Sequence, residues 1–416
     1  MSESNLNTLS THIERKKVWQ LLGIVLITAI VWNLPISVFD IDGLTVVQQR
    51  IIAIFVFATL SWLTECIPAW ATSLAIMTIM CVSVSENSFQ FFKGDGIGEL
   101  LKSKEIMASF ADPIIMLFLA GFILAIAASK SGLDTLLAKN MIRPFGNKSE
   151  NVLLGFLLIT GVFSMFVSNT ATAAMMLTFL TPVFAALPAN GKGCMALTMS
   201  IPIAANLGGM ATPIGTPPNA IALQALNDPK GLNMGINANT VALVPMGVFA
   251  ATGVITAKDL QSINWSVIWM VAGGFALGLG INDSGLAKLA IDTIPFGSWS
   301  PIIVLIASGF ICYLLSNFIS NTAAAALLIP ILVTICQGMG DRLGEIGGTS
   351  TVLIGIALAA SSAMCLPIST PPNAIAYSTG LVKQNDMLKM GLIVGIISMI
   401  IGYLVLFFVG EMHFLN

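Results

Sequence analysis

Apolar residues run in long stretches along most of this chain, at about 18–38, 47–66, 68–84, 107–129, 194–227, 239–256, 265–282, 351–380 and 387–410. A helix needs roughly 20 such residues, at ~1.5 Å each, to cross the ~30 Å hydrocarbon core of a bilayer. The pattern therefore predicts an all-α polytopic membrane protein. Two segments, about 152–187 and 300–337, interrupt it with polar clusters: "SMFVSNTATAA" from Ser164 and "SNFISNTAAAA" from Ser316. The apolar run "NVLLGFLLITGVF" is short for a full crossing before Ser164. Two half-length helices meeting at a polar tip fit each segment, and they predict a pair of re-entrant hairpins. Irregular backbone at that depth is tolerable only where protein or a wet cavity surrounds it.

Prolines interrupt two of the long runs. In "ATPIGTPPNAIAL" these are Pro213, Pro217 and Pro218, and in "CLPISTPPNAIAY" they are Pro367, Pro371 and Pro372. Each proline removes an amide donor and clashes with the preceding turn, so each run should be two half-helices joined by an unwound stretch. The two halves of the chain repeat these landmarks in order. "KSGL" ends at Leu133 and "DSGL" at Leu286; "SNTA" begins at Ser168 and Ser320; "GTPPNAIA" begins at Gly215 and "STPPNAIA" at Ser369. Offsets of 153, 152 and 154 residues mark an internal duplication. The first hairpin opens from one side of the membrane and the second from the other, so the copies are inverted. Inverted repeats with paired interrupted helices point to a secondary transporter with its site near the midplane.

Composition agrees: 56% of the 416 residues are hydrophobic and 9% charged, and the mean hydropathy is +0.91. A net charge of −2 and the absence of a basic stripe give no sign of nucleic-acid binding. The polar start "MSESNLNTLSTHIERKK" reads as a cytoplasmic tail rather than a signal peptide. With the N-terminus inside, eleven Lys and Arg fall on the cytoplasmic side and seven outside, the sign that the positive-inside rule requires. Six scattered cysteines suggest neither a disulfide framework nor a zinc site. The two histidines, His12 and His413, lie near the chain ends, which argues against imidazole chemistry inside the membrane. Glu65 and Asp112 lie close to span ends and read as interfacial or structural groups, and "GGFALG" from Gly273 reads as close helix packing.

The polar clusters and the breaks supply complementary chemistry. Unwound backbone frees carbonyls for a hard cation such as Na⁺, while half-helix N-termini present N–H groups to an anion. The side chains of Ser168, Asn169 and Thr170, and of Ser320, Asn321 and Thr322, add donors and acceptors to both. Neither hairpin tip nor either break contains Arg or Lys. A carboxylate and sodium ions held together would neutralise one another there.

The duplicated S-N-T tips and the paired G/S-T-P-P-N breaks closely resemble the divalent anion/sodium symporters, and most of all their bacterial dicarboxylate branch. The resemblance runs over nearly the whole chain. It implies a homodimer in the bacterial inner membrane, each protomer having a scaffold and a transport domain that moves as an elevator, and Na⁺-coupled import of succinate-like dicarboxylates. It implies one sodium site at Ser164, Ser168, Asn169 and Gly215, and another at Ser316, Asn321, the backbone near Ile319, and Ser369. Substrate carboxylates would meet Ser168, Asn169, Thr170, Thr216 and Pro217 from one half, and Ser320, Asn321, Thr322, Thr370 and Pro371 from the other. The implied division is 1–150 for the tail and first scaffold helices, 151–232 for the first transport half, 233–298 for the second scaffold group and 299–416 for the second transport half.

The chain departs from this family in one place. A further helix is expected after the first T-P-P-N break, and another at the start of the second repeat. Here the chain passes through "NDPKGLNMGINAN" straight into the next span. Two helices are therefore expected to be absent between about Leu232 and Asn239, a loss that preserves the orientation of everything downstream. Alternatives are a related transporter of citrate, sulfate or protons, and a transport-impaired membrane protein. A proton exchanger should carry midspan acidic residues, and none lies near the tips; an intramembrane hydrolase lacks a base beside any Ser or Asp.

Overall fold

A computed structural model describes residues 3–94, 96–146, 148–185, 191–226, 238–367 and 369–411. Among these the regular structure is helical, apart from one isolated bridge between Ser85 and Leu101. The first helices are α1 (Glu3–Asn33), α2 (Val46–Thr64), α3 (Ala69–Ser83) and α4 (Ser103–Ala108). The first repeat follows as α5 (Pro113–Ser131), α6 (Leu133–Ile142), α7 (Ser149–Ser164), α8 (Asn169–Ala185), α9 (Lys192–Gly209) and α10 (Pro217–Ala225). After α11 (Ala238–Ala251) and α12 (Ala257–Gln261), the second repeat runs through α13 (Trp265–Asp283), α14 (Leu286–Thr293), α15 (Pro301–Phe318), α16 (Asn321–Met339), α17 (Gly348–Ser362) and α18 (Pro371–Ser378). The last helix is α19 (Gln384–Glu411). Six helices among the described residues are long and apolar enough to cross a membrane, so this is an all-α, multi-pass membrane protein.

The duplication is visible in the backbone. Gly132 and Gly285, at the two S-G-L landmarks, both take positive φ (69° and 75°) and open the short helices α6 and α14. A left-handed conformation there costs glycine nothing, and it turns the chain sharply at the end of each preceding helix. The hairpin arms differ from the half-length helices expected. They are 16 and 17 residues in α7 and α8, and 18 and 19 in α15 and α16. At ~1.5 Å per residue each arm measures about 24–29 Å, because the helices continue to the polar tip and gather the small residues around it into regular turns.

Two compact units emerge. One comprises Met1–Asp112 with Ser266–Ser298, and the other Pro113–Trp265 with Trp299–Asn416. Helices α5, α6 and α11, grouped with the scaffold in the sequence reading, cluster with the hairpins. In the first unit a capping box at Thr45 and Gln48 starts α2, and the Gln48 side-chain amide also donates to Ser284 O at 2.9 Å. Buried Arg50 donates to Ser83 O and Phe92 O and lies over the Trp32 and Phe92 rings, contacts that stabilise its charge.

In the second unit the two repeats brace each other. Helix α10, which follows the first break, packs on α16 and α17 of the second repeat; α18, which follows the second break, packs on α8 and α9 of the first. The buried core is shared accordingly. Phe156, Ile159, Met176, Leu180 and Ile201 join Met364, Ala376 and Met387 in one cluster. Outward faces carry Ile303, Phe310 and Phe318 on α15 and Ile400, Leu404 and Phe408 on α19, an apolar surface suited to lipid. Residues 227–237, which hold most of the link where the absent helix pair was expected, lie outside the described residues.

Candidate functional site

Both breaks form as the prolines require. Thr216 (φ −146°, ψ 141°) and Thr370 (φ −141°, ψ 148°) are held extended by the proline that follows, and that proline then starts a new helix at its first turn. The asparagine two residues after it closes the gap. Asn219 Nδ2 lies 3.3, 3.0 and 2.8 Å from the carbonyls of Gly209, Met210 and Thr212. Asn373 Nδ2 donates to those of Met364 and Leu366 at 2.8 and 3.0 Å. These two asparagines satisfy carbonyls that the unwound stretch would otherwise orphan. Both stand in T-P-P-N, whose spacing alone does not give them this work.

The first hairpin tip meets its break around Asn169. Its amide lies 2.6 Å from Ser164 Oγ, 3.1 Å from Gly215 O and 3.2 Å from Ala205 O. Ser164 is fully buried and donates to Ala205 O at 2.7 Å. Gly209 and Gly215 are required by this close approach: a Cβ on Gly209 would overlap the Asn169 side chain, and one on Gly215 would overlap the Gly209 carbonyl. With its nitrogen inward, the Asn169 amide donates to the surrounding oxygens. With its oxygen inward, three other oxygens lie within 3.2 Å of it, a cluster of hard, uncharged groups of the kind a small hard cation takes as ligands. Three of the four residues predicted for this site thus come together, and Ala205 joins them. The Ser168 hydroxyl is instead used to cap α8, accepting from Ala171 N at 3.3 Å. The Thr212 hydroxyl donates to Met165 O and ties break to tip.

The second tip is built differently. The Ser369 hydroxyl donates to Asn317 O at 2.9 Å and accepts from Leu366 N at 3.0 Å. Asn317 Oδ1 accepts from Cys365 N at 2.9 Å, and its amide donates to Tyr313 O. Ser316 is fully buried and Ile319 nearly so. Asn321 carries a buried Oδ1 with no hydrogen-bond partner among the described residues, and Thr322 beside it is also buried. The Ser320 hydroxyl caps α16 by accepting from Ala323 N.

One residue links the two halves. Asn206, in α9 and buried, donates to Thr370 Oγ1 at 3.1 Å and to Asn373 Oδ1 at 3.4 Å, while its Oδ1 lies 3.5 Å from Asn169 Nδ2. Its only signal in the sequence is an asparagine in the apolar run "IPIAANLGG"; at the repeat offset its counterpart is Ala360, so counting repeats passes over it. Of the other predicted substrate residues, Thr216 and Pro217 open α10, Thr370 and Pro371 open α18, and Thr170 and Thr322 lie in the first turns of α8 and α16. Four helix N-termini, electropositive by their free N–H groups, thus begin at predicted site residues. The segments 152–185, 193–226, 301–340 and 348–382 contain no Asp, Glu, Lys or Arg, so within them no formal charge opposes or replaces a bound ion.

Comparison with known proteins places this geometry in context. A family model described as citrate transporter (CitMHS) matches residues 59–236 and 230–415. An uncharacterized transporter of Haemophilus influenzae is 31% identical over 84% of this chain and 89% of its own length. A sodium-dependent dicarboxylate transporter of Staphylococcus saprophyticus is 26% identical over 94% of this chain and 91% of its own. An inorganic phosphate transporter of Saccharomyces cerevisiae is 25% identical over 83% of this chain and 44% of its own. The first two alignments run to 434 and 503 positions against a chain of 416 residues, so these relatives carry stretches that this chain lacks. The two matches to the family model meet at 230–236, within the link where the absent pair was expected.

Proposed function

The chain belongs to the citrate-transporter family of divalent anion/sodium symporters, a transporter family and not one of enzymes, and on that premise we propose that it imports C4-dicarboxylates such as succinate, fumarate or malate by Na⁺ symport. The observation that carries this reading is the Asn169 niche: an amide and three oxygens within 3.2 Å of it, beside helix N-termini and built from segments that contain no Asp, Glu, Lys or Arg. A dianion brought to such a place needs cations for neutrality, because opposite charges attract strongly where water is excluded. The sodium-dependent dicarboxylate transporters of Staphylococcus support the choice of ion and substrate. The citrate description of the family model favours citrate as the second reading.

In this proposal, Ser164, Asn169 and Gly215, with Ala205, hold one sodium ion; Ser316, Ile319, Asn321 and Ser369 hold the other. Ser168, Asn169, Thr170, Thr216, Pro217, Ser320, Asn321, Thr322, Thr370 and Pro371 surround the carboxylates. The unit of Met1–Asp112 and Ser266–Ser298 serves as scaffold, and the unit carrying the hairpins moves as an elevator within a homodimer, in a bacterial inner membrane with the N-terminus cytoplasmic. Uptake of labelled succinate into proteoliposomes, with and without an inward Na⁺ gradient, tests it. Succinate affinity should rise with Na⁺ and not with K⁺, since a small oxygen cage favours the smaller ion. Uptake indifferent to Na⁺ overturns the coupling, and citrate outcompeting succinate selects the second reading. If the absent helix pair matters to movement, uptake should be weak while binding persists.

A further inference from the structure

We infer that Asn206 is a positioning residue that relays the state of the Asn169 niche to the Thr370 hydroxyl, and so couples cation binding in one half to anion binding in the other; this rests on the proposed function. Thr370 Oγ1 accepts from Asn373 N at 3.3 Å and from Asn206 Nδ2 at 3.1 Å. A hydroxyl has two lone pairs and one hydrogen, so with both lone pairs engaged its hydrogen is left to donate elsewhere. Thr370 caps the N-terminus of α18, where an anion is favoured. In this state Thr370 is set as a donor for a carboxylate.

That state depends on Asn206, and Asn206 depends on Asn169. The Asn373 amide is fixed because its nitrogen donates to Met364 O and Leu366 O, so its Oδ1 can only accept. Asn206 therefore presents its nitrogen to Thr370 and Asn373, and its oxygen to Asn169. This is compatible with Asn169 only when the Asn169 nitrogen points out toward Asn206 and its oxygen points into the niche. A cation in the niche selects that orientation. Without a cation, the nitrogen-in orientation is favoured, since it donates toward Ser164 Oγ, Ala205 O and Gly215 O. The Asn169 oxygen then faces the Asn206 oxygen, and turning Asn206 over only moves the opposition to Asn373 Oδ1. Without a cation the Asn206 amide therefore has no orientation that suits both neighbours, and its bond to Thr370 Oγ1, which leaves the hydroxyl hydrogen free for substrate, is not secured. Coupling of this kind is reciprocal, so bound dicarboxylate raises cation affinity by the same factor. The counterpart of Asn206 in the second repeat is Ala360, so the relay exists once, not twice.

The test is calorimetric titration of succinate into the purified full chain across a Na⁺ series, beside Na⁺-induced thermal stabilisation without succinate. Three single variants are compared: Asn206→Asp, an isostere whose ionised oxygens only accept; Asn206→Leu, which removes the relay without adding charge; and Thr370→Val, which removes the donor. Stabilisation by Na⁺ alone should persist in all three. The gain in succinate affinity produced by Na⁺ should fall about tenfold or more in each, the effect of losing one hydrogen bond to a charged group. The double variant Asn206→Leu/Thr370→Val should lose no more than either single, because both act on one bond. Unmutated protein that binds succinate without regard to Na⁺ overturns the proposed function and the relay with it. Unmutated coupling that survives in Asn206→Asp and Asn206→Leu, or losses that add in the double variant, overturns the relay alone.

Discussion

In the first repeat the asparagine that opens the second hairpin arm lies against Gly209, with Gly215 just behind it; at the same offsets in the second repeat stand Ala363 and Ser369. The two glycines leave room for the Asn169 amide to enter a ring of oxygens. In the second repeat the side chain of Ser369 ties the break to Asn317, and Asn321 is left with a buried oxygen that nothing among the described residues satisfies. The first niche can therefore complete its own hydrogen bonds, whereas the second carries an unmet acceptor whose burial costs free energy until a partner arrives. Duplication kept the hairpins, the breaks and their bracing asparagines, while differences such as Gly209 against Ala363, Gly215 against Ser369 and Met165 against Asn317 made the chemistry of the two tips unequal.

The largest expected effects come from the asparagines themselves. Asn169→Ala and Asn321→Ala should both abolish uptake while the protein still inserts. They should part company in stability. Loss of the Asn169 amide leaves buried partners unsatisfied and should cost about 1–3 kcal/mol, whereas loss of Asn321 removes an oxygen that had no partner. Thermal unfolding in detergent, with and without Na⁺, separates them: without Na⁺ the midpoint should drop in Asn169→Ala and hold in Asn321→Ala, while each variant keeps the stabilisation by Na⁺ that the other site supplies. Equal responses from the two variants would break the comparison. Next in size is the exchange of backing residues. Gly209→Ala drives a Cβ into the Asn169 side chain and should cost roughly 1–3 kcal/mol together with that site's share of the response to Na⁺. Ala363→Gly only loosens the chain, by about 1 kcal/mol, and should leave uptake measurable.

How much of this could be read from the chain follows from what repeats. Proline and the Ser-Asn-Thr clusters announce breaks and tips because they are wrong for a lipid-facing helix and occur twice at one offset. Ser164, Asn169 and Gly215 could be grouped on that basis together with the family resemblance. The back-donation of Asn219 and Asn373 could not, because it depends on which carbonyls an unwound backbone turns toward them. Ser168 was legible as polar but not as a cap, since the same hydroxyl can serve a ligand or its own helix. Asn206 was invisible for the opposite reason: it does not repeat, and a lone asparagine in an apolar run is ordinary helix-packing chemistry until its neighbours are known.

The bracing asparagines allow a finer test of the asymmetry. Asn219→Ala and Asn373→Ala each strip donors from carbonyls in the unwound stretch, at about 1–3 kcal/mol by the usual cost of unsatisfied buried groups. Asn373 is the more buried and also accepts from Asn206, so its loss should be the larger of the two and should lower succinate affinity as well as stability. A larger stability loss in Asn219→Ala would place the greater strain in the first break and reverse the ranking.

The smallest effect is expected at the S-G-L landmarks, where Lys130 of the first repeat is matched by Asp283 in the second. Lys130 Nζ donates to Asp259 Oδ2 and to Val254 O, both at 2.8 Å, and so ties the end of α5 to the loop after α11. The Lys130 hydrogen bond, followed by those from Thr256, pulls the Asp259 carboxyl down from 3.8 to about 2. A carboxyl with a depressed value stabilises the fold fully above its unfolded value and loses that contribution as pH falls through the folded one. The bridge should therefore be constant from neutral pH down to about pH 4, and should fade between there and about pH 2. Because the pair is partly exposed, Asp259→Asn should lower the thermal midpoint only slightly at pH 7, and less still in high salt. The gap between the two proteins should narrow as the pH is taken toward 3. A gap that stayed constant to pH 3, or widened, would mean that the charge of Asp259 contributes nothing at the first landmark, leaving no electrostatic asymmetry between the copies.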